Sequence, residues 1–159
     1  ATLLGNINDM KVDKVNNGTL DEQTFFGERE KAFLLASAPD NKFSLNLNYS
    51  RTWFDAGLAF TRFSEVQLLD YQMYEDVADY GSFANQIKAA TDTYGAKIVT
   101  DLTLGFNLSK NTKLSVGSNN LFNIYPDQQD DWVEAGGYWD AVQMGFSGAY
   151  YYARLGFNF

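Results

Sequence analysis

Residues 42–63 read KFSLNLNYSRTWFDAGLAFTRF, and this stretch decides the fold. In its first half Phe43, Leu45, Leu47 and Tyr49 alternate with Ser44, Asn46, Asn48 and Ser50. In its second half Phe54, Ala56, Leu58 and Phe60 alternate with Asp55, Gly57, Ala59 and Thr61. Successive side chains of a strand point to opposite faces, so each half predicts a strand with one apolar and one polar face. Almost no loop separates the halves around Ser50-Arg51-Thr52, which predicts an antiparallel hairpin.

Working outward, four more segments alternate in the same way. Leu3 to Val12 sets Leu3, Gly5 and Ile7 against Leu4, Asn6 and Asn8. AKIVTDLTLGFNL (96–108) sets Ile98, Thr100, Leu102, Leu104 and Phe106 against Lys97, Val99, Asp101, Thr103, Gly105 and Asn107. TKLSVGSNNLFN (112–123) carries Leu114 and Val116 against Lys113, Ser115 and Gly117. YYYARLGFNF (150–159) puts Tyr151, Ala153, Leu155, Phe157 and Phe159 on one face, and Arg154 and Asn158 on the other. Most of these segments run about 9–13 residues, the length a tilted strand needs to cross a bilayer and more than the usual soluble strand.

The connections alternate too. NLSKNTK (107–113) is a short polar turn with Asn111 as its turn former. The connections near 13–41, 65–95 and 124–147 are long, and read as structureless loops. In an antiparallel meander this puts every long loop at one end of the sheet and every short turn at the other. Outer-membrane barrels have that asymmetry, whereas a compact soluble domain rarely carries three such loops. A soluble antiparallel barrel or sandwich also alternates, but its outer face is charged. Here the polar face is rich in Asn, Ser, Thr and Gly, as a wet lumen is.

Composition removes other classes. The chain has neither Cys nor His, so disulfides, zinc sites and histidine acid–base chemistry are excluded from this stretch. A net charge of −8 with no basic stripe argues against nucleic acid as a partner. No run of about 18 apolar residues predicts a transmembrane helix, which says nothing against membrane-spanning strands. The opening ATLLGNINDMKV has no basic n-region and no apolar core, and reads as the interior of a longer chain.

Candidate chemistry is confined to loops. YPDQQDDWVEAGGYWDAVQ (125–143) holds Asp127, Asp130, Asp131, Glu134 and Asp140 among Trp132, Tyr138 and Trp139. LLDYQMYEDVADYGSFANQIKAATDTYG (68–95) holds Tyr71, Tyr74 and Tyr80 among Asp70, Glu75, Asp76 and Asp79. Aromatic rings stack on sugars and aryl groups, so these six aromatics are the ligand-binding candidates. The acids match no calcium-loop order and read as solvated charge rather than a metal site. Phe83, Ile87 and Ala90 fit one face of a short helix. Arg154 should face the lumen and pair with Asp101 or Asp55, since charge on a lipid face costs about 2–4 kcal/mol near mid-bilayer. Arg62 likewise reads as one half of a structural ion pair. Tyr49, Trp53 and Phe159 fall at the short-turn end, where an aromatic girdle sits. With no His or Cys, no nucleophile–base pair can be built, so no enzyme activity and no cofactor is expected.

The last sixty or so residues carry a resemblance. DLTLGFNLSKNTKLSVGSNNLFNIYPD (101–127), followed by a loop and GAYYYARLGFNF (148–159), resembles the end of a TonB-dependent outer-membrane receptor. In that family the penultimate strand ends in a pattern similar to Asn120-Leu121-Phe122-Asn123, with Tyr125-Pro126 shortly after. The last strand ends in Phe with apolar residues at alternate positions, as Tyr151, Ala153, Leu155, Phe157 and Phe159 do. ASAPDNKFSLNLNYS (36–50) is similar to the family's Pro-containing approach to a strand, and the ending looks like that of Bacteroidetes-type receptors.

The resemblance implies an all-β chain supplying the C-terminal six antiparallel strands of a 22-stranded transmembrane barrel, with long extracellular loops and short periplasmic turns. It implies active uptake of a scarce nutrient (a siderophore, vitamin, glycan or peptide) bound at the extracellular loops. The implied partners are the lipid bilayer, the remaining barrel strands, the TonB complex acting through a plug domain outside residues 1–159, the outer-membrane assembly machinery and a surface lipoprotein. The assembly machinery would read the alternation ending at Phe159. Two alternatives stay open: a passive porin or adhesin-like barrel, and a soluble β-barrel binding module.

Overall fold

A computed structural model of the chain describes residues 1–69, 77–128 and 143–158. In chain order its elements are β1 (Thr2–Ile7), α1 (Glu22–Phe26), α2 (Glu28–Ala36), β2 (Asn41–Ser50), β3 (Phe54–Phe63), β4 (Val66–Leu69), α3 (Val77–Tyr80), α4 (Phe83–Ala89), β5 (Thr91–Tyr94), β6 (Lys97–Ser109), β7 (Thr112–Asn119) and β8 (Tyr150–Phe157). The six expected strands form one antiparallel sheet in the order β1-β2-β3-β6-β7-β8, and β4 pairs with β5 in a second sheet. The described structure is mostly β, with short helices confined to two connections.

Register carries the two-faced pattern across the whole sheet. Leu47 lies opposite Leu58, and Leu58 opposite Leu102. One step toward the short turns, Tyr49, Ala56, Leu104, Val116 and Ala153 form a continuous row. Beyond them Phe54, Phe106, Leu114 and Leu155 form another. A slip of one residue in any strand would send its apolar set to the other face, so the pattern specifies this pairing. The apolar face is not covered by the rest of the described chain: Leu45, Leu47, Ile98 and Leu155 all remain exposed.

Two connections are two-residue hairpins. Arg51 and Phe54 exchange backbone hydrogen bonds around Thr52-Trp53, at 2.7 and 3.4 Å. Ser109 pairs with Thr112 around Lys110-Asn111, and a register shift at Leu108 leaves that leucine exposed. Both turns lie at the same end of the sheet, where the Asn107 N–H donates to the Trp53 carbonyl at 2.9 Å. The three long connections leave from the opposite end.

Three expectations need correction. The first strand ends at Ile7 rather than Val12, because its partner β2 begins at Asn41 opposite Ile7, and past it only Asn8 is tied, by its N–H to the Asp40 carbonyl at 2.7 Å and its side chain to the Pro39 carbonyl. The first two long connections are not structureless, since they hold α1 to α4 and the β4–β5 hairpin. Arg154 faces the polar side as expected, opposite Ser115, but the expected partners are taken. Asp55 pairs with Lys113 at 2.6 Å, and Asp101 accepts the Asn120 N–H.

Glycines on the polar face make that ion pair possible. Asp55 on β3 crosses over Gly105 of β6 to reach Lys113 on β7, and a Cβ at Gly105 would overlap its carboxylate. Tyr152 on β8 crosses Gly117 of β7 and shares a hydrogen bond with Thr103 on β6 at 2.9 Å. The polar side chains thus lie flat across one strand and tie its two neighbours.

Candidate functional site at the long-loop end

The functional candidates are the groups gathered where the long connections leave the sheet. The first two connections build a satellite core of their own. Ala36 of α2, Val66 and Leu68 of β4 and Tyr94 of β5 are buried together, with Ala32 and Phe33 packed against them. Val66 and Leu68 point to one face of the hairpin, and Ala32 and Ala36 are spaced one helical turn apart to meet them. Arg29 is buried with its guanidinium 4.7 Å from the centre of the Phe33 ring. Around the helix start, the Glu30 carboxylate accepts the Gly27 N–H at 2.9 Å, satisfying a donor the helix leaves over. Lys31 donates to Glu22 at 2.7 Å and to Glu28 at 2.9 Å, and these bonds, that to Glu22 foremost, raise its pKa above the usual lysine value.

The third connection begins in an asparagine turn. Asn120 and Asn123 both adopt left-handed backbone, with φ of 52° and 56°. Asparagine tolerates that region because its short amide bonds nearby backbone. The Asn120 side chain does so twice, donating to the Ile124 carbonyl at 2.6 Å and accepting the Ile124 N–H at 2.8 Å. The Asn123 amide oxygen accepts the Ala149 N–H at 2.9 Å, drawing the end of the connection back to its start. Tyr151 donates to the Leu121 carbonyl at 3.2 Å. The motif Asn120-Leu121-Phe122-Asn123 is therefore a clasp at the mouth of this connection.

A second tie joins the second and third connections. One Asp127 carboxylate oxygen accepts the Gly95 N–H at 2.8 Å, and the other pairs with Lys97. The Lys97 hydrogen bond is the main reason its carboxyl is held below the usual carboxylate range. From the other side Gln143 donates to the carbonyls of Tyr94 and Gly95. Met144 and Gln143 are buried, and Met144, Gly145, Ser147 and Gly148 line one cavity with polar-face residues such as Thr61, Val99 and Asp101.

Between α2 and the hairpin lies a cleft of about 410 Å³. Ala32, Leu35 and Ala36 line one side, β4 from Val66 to Leu69 the other, and Asp40 and Glu65 stand at its border. Sequence reasoning missed this cleft. Its one signal was the alternation Val66-Gln67-Leu68, too short to separate from loop.

Of the predicted ligand-binding residues, Tyr80 closes α3, where its carbonyl accepts the Asn85 side chain at 3.0 Å, and it does not line the cleft. Tyr71, Tyr74, Trp132, Tyr138 and Trp139 lie outside the described residues, as do Asp70, Glu75, Asp76, Asp130, Asp131, Glu134, Asp140 and Phe159. The expected helix forms as α4, capped by Ser82, whose hydroxyl accepts the Asn85 N–H. Of its expected face Ala90 is buried and Ile87 half-buried, while Phe83 is exposed and Gln86 is the buried side chain beside them. Among the described residues no three acidic side chains converge in a way that suits a metal ion.

The aromatic cluster expected at the short-turn end is present for its described members. Tyr49, Trp53, Phe54 and Phe106 form a run of ring contacts with centroids 5.3–6.4 Å apart. Arg62 falls on the apolar face, level with Phe43 and Ile98 near the long-loop end, where it donates to the Asn41 side chain at 2.8 Å. Comparison with protein-family models, with curated proteins and with solved structures finds no match to the chain, so the family likeness rests on the residues quoted above.

Proposed function

We propose that this sheet is part of a TonB-dependent outer-membrane receptor, which binds a scarce nutrient at its extracellular loops and moves it into the periplasm. The observation that carries the reading is the sidedness of the sheet. An apolar face left uncovered by the described residues, a polar face of Asn, Ser, Thr and Gly, two-residue turns at one end and long connections at the other are what a bilayer-spanning barrel needs. A soluble sandwich would have to bury that apolar face.

In this reading the apolar rows meet lipid and the polar rows line the lumen. Arg62 then sits at the outer rim rather than in mid-bilayer, which suits its charge. The aromatic run at Tyr49, Trp53 and Phe54 lies at the periplasmic interface. Among the described residues β1 and β8 each have one hydrogen-bonded neighbour, so both outer edges need further strands before the sheet can stand in lipid. Those strands would complete the 22-stranded barrel, and a plug domain would couple it to TonB. The assembly machinery would read the alternation from Tyr151 to Phe159, and a surface lipoprotein would cover the mouth.

Two measurements test the reading. The full-length protein should fractionate with the outer membrane and show the heat-modifiable mobility of a folded barrel. Uptake of its nutrient should then stop in cells lacking TonB. Aqueous refolding to a detergent-free monomer would sink the membrane reading, and uptake that persists without TonB would leave a passive porin.

A further inference from the structure

We propose that Tyr150, Tyr152 and Arg154, on the polar face of β8, bind an acidic sugar, its rings against the tyrosines and its carboxylate on the guanidinium. The three residues alternate along one strand, so their side chains leave the same face about 6–7 Å apart. Tyr152 lies across Gly117 and is fixed there by its hydrogen bond to Thr103 at 2.9 Å. Tyr150 stacks beside it, with the ring planes 26° apart and the centroids separated by 6.2 Å. Opposite the three on β7 stand Asn119, Gly117 and Ser115, so nothing bulkier than an amide rises next to the rings. Asn119, Tyr150, Tyr152, Ala153 and Arg154 border one recess of about 410 Å³. A further strand at the outer edge of β8 would wall this recess in the plane of the sheet and leave the polar face above the rings open.

The groups around the rings select the ligand chemistry. Arg154 is exposed and has no ion-pair partner among the described residues. In its row across the sheet, through Ser115 and Gly105, the one carboxylate is that of Asp55, and Lys113 already holds it. Arg154 and Lys113 against Asp55 leave this part of the polar face with one positive charge in excess. A guanidinium fork matches a carboxylate with two parallel hydrogen bonds. The Asn119 amide and the Ser115 and Tyr150 hydroxyls are also unclaimed among the described residues, and they suit a ligand rich in hydroxyl groups. The exposed Tyr150 ring and its neighbour offer flat apolar faces to the C–H face of a pyranose. A neutral sugar would leave the charge unanswered, and an aryl acid the three polar groups. A hexuronic acid, or a short chain of them, answers all of these.

The inference deepens the proposed receptor by naming its substrate class, and it rests on that reading only for placing this face in the lumen. The test uses the full-length protein in detergent, titrated calorimetrically with the trisaccharides of galacturonate, glucuronate and mannuronate. At least one should bind saturably. Its methyl ester, which keeps the rings and loses the charge, should bind at least about tenfold more weakly. Arg154→Gln should weaken the acid about tenfold and leave the ester unchanged, whereas Tyr150→Ala should weaken acid and ester alike, about fivefold. Both variants should keep the heat-modifiable mobility of the wild type. If Arg154→Gln fails to assemble, the comparison of acid with ester on the wild type still decides. Equal binding of acid and ester, undiminished acid binding by Arg154→Gln, or no saturation by any of the acids below about 1 mM would overturn the proposal. A folded barrel that ignores every acid sinks the sugar platform alone. Acid binding by a protein that proves soluble sinks the receptor reading alone.

Discussion

Single residues on the polar face of the sheet show how little space separates its strands. Gly105 has no side chain, and that allows Asp55 to lie across β6 and reach Lys113. Gly105→Ala should expel the carboxylate and destabilise the folded protein by about 1–3 kcal/mol in urea unfolding, as overpacking does. The same substitution in an Asp55→Ala background should cost less than about 1 kcal/mol, since the overlapping atoms are gone. Equal costs in the two backgrounds would mean that the glycine is needed for some reason other than Asp55. Most of the penalty is steric, because the ion pair is partly solvated and worth little by itself.

At the scale of elements, the first two long connections hold built structure, and described side chains tie the second to the third. Asp127 is the hinge pin between the second and third, holding Gly95 and Lys97 at once. Its folded pKa is depressed, so its contribution is present above the ordinary carboxylate pKa and is lost as pH falls through the lowered one. Wild type should therefore melt slightly higher than Asp127→Asn at pH about 7, by under about 1 kcal/mol for a half-exposed pair. That gap should begin to narrow as pH falls below the ordinary carboxylate value of about 4, and close only once the lowered pKa is passed and both carry a neutral side chain. A gap independent of pH would show that the carboxylate charge plays no part in the tie. Lys31 shows the opposite sign. Its raised pKa means stability fully present below the ordinary lysine value and lost only in strong alkali.

For the whole molecule, the two faces of the sheet make opposite predictions for the same charge. Leu58 lies mid-strand on the apolar face, opposite Leu47 and Leu102. Asn46 lies at nearly the same height on the polar face, opposite Ala59. Under the proposed outer-membrane placement, Leu58→Arg should cost about 2–4 kcal/mol of membrane stability and lower the assembled protein in outer-membrane fractions. Asn46→Arg should leave that level close to wild type. If Asn46→Arg proved the more damaging, the assignment of lipid and lumen faces would be reversed. The satellite core at Ala36, Val66, Leu68 and Tyr94 is small and separate from the sheet, so neither change should disturb the cleft.

The sequence by itself determined the six strands, their faces and the two tight turns, because period-two alternation and turn residues are local properties. It also marked Asn120 and Asn123 as a motif, though without showing that both take left-handed backbone to clasp the third connection. Only the tertiary structure decided the rest. The runs around Ala36, Val66 and Tyr94 are too short to announce a core, and they become one only by meeting across more than fifty residues of chain. Charge and face alone offer Arg154 either Asp101 or Asp55, but Asp101 accepts the Asn120 N–H and the flat crossing over Gly105 delivers the Asp55 carboxylate to Lys113. Which side chains reach one another depends on the register of three strands at once, and no single stretch of sequence contains it.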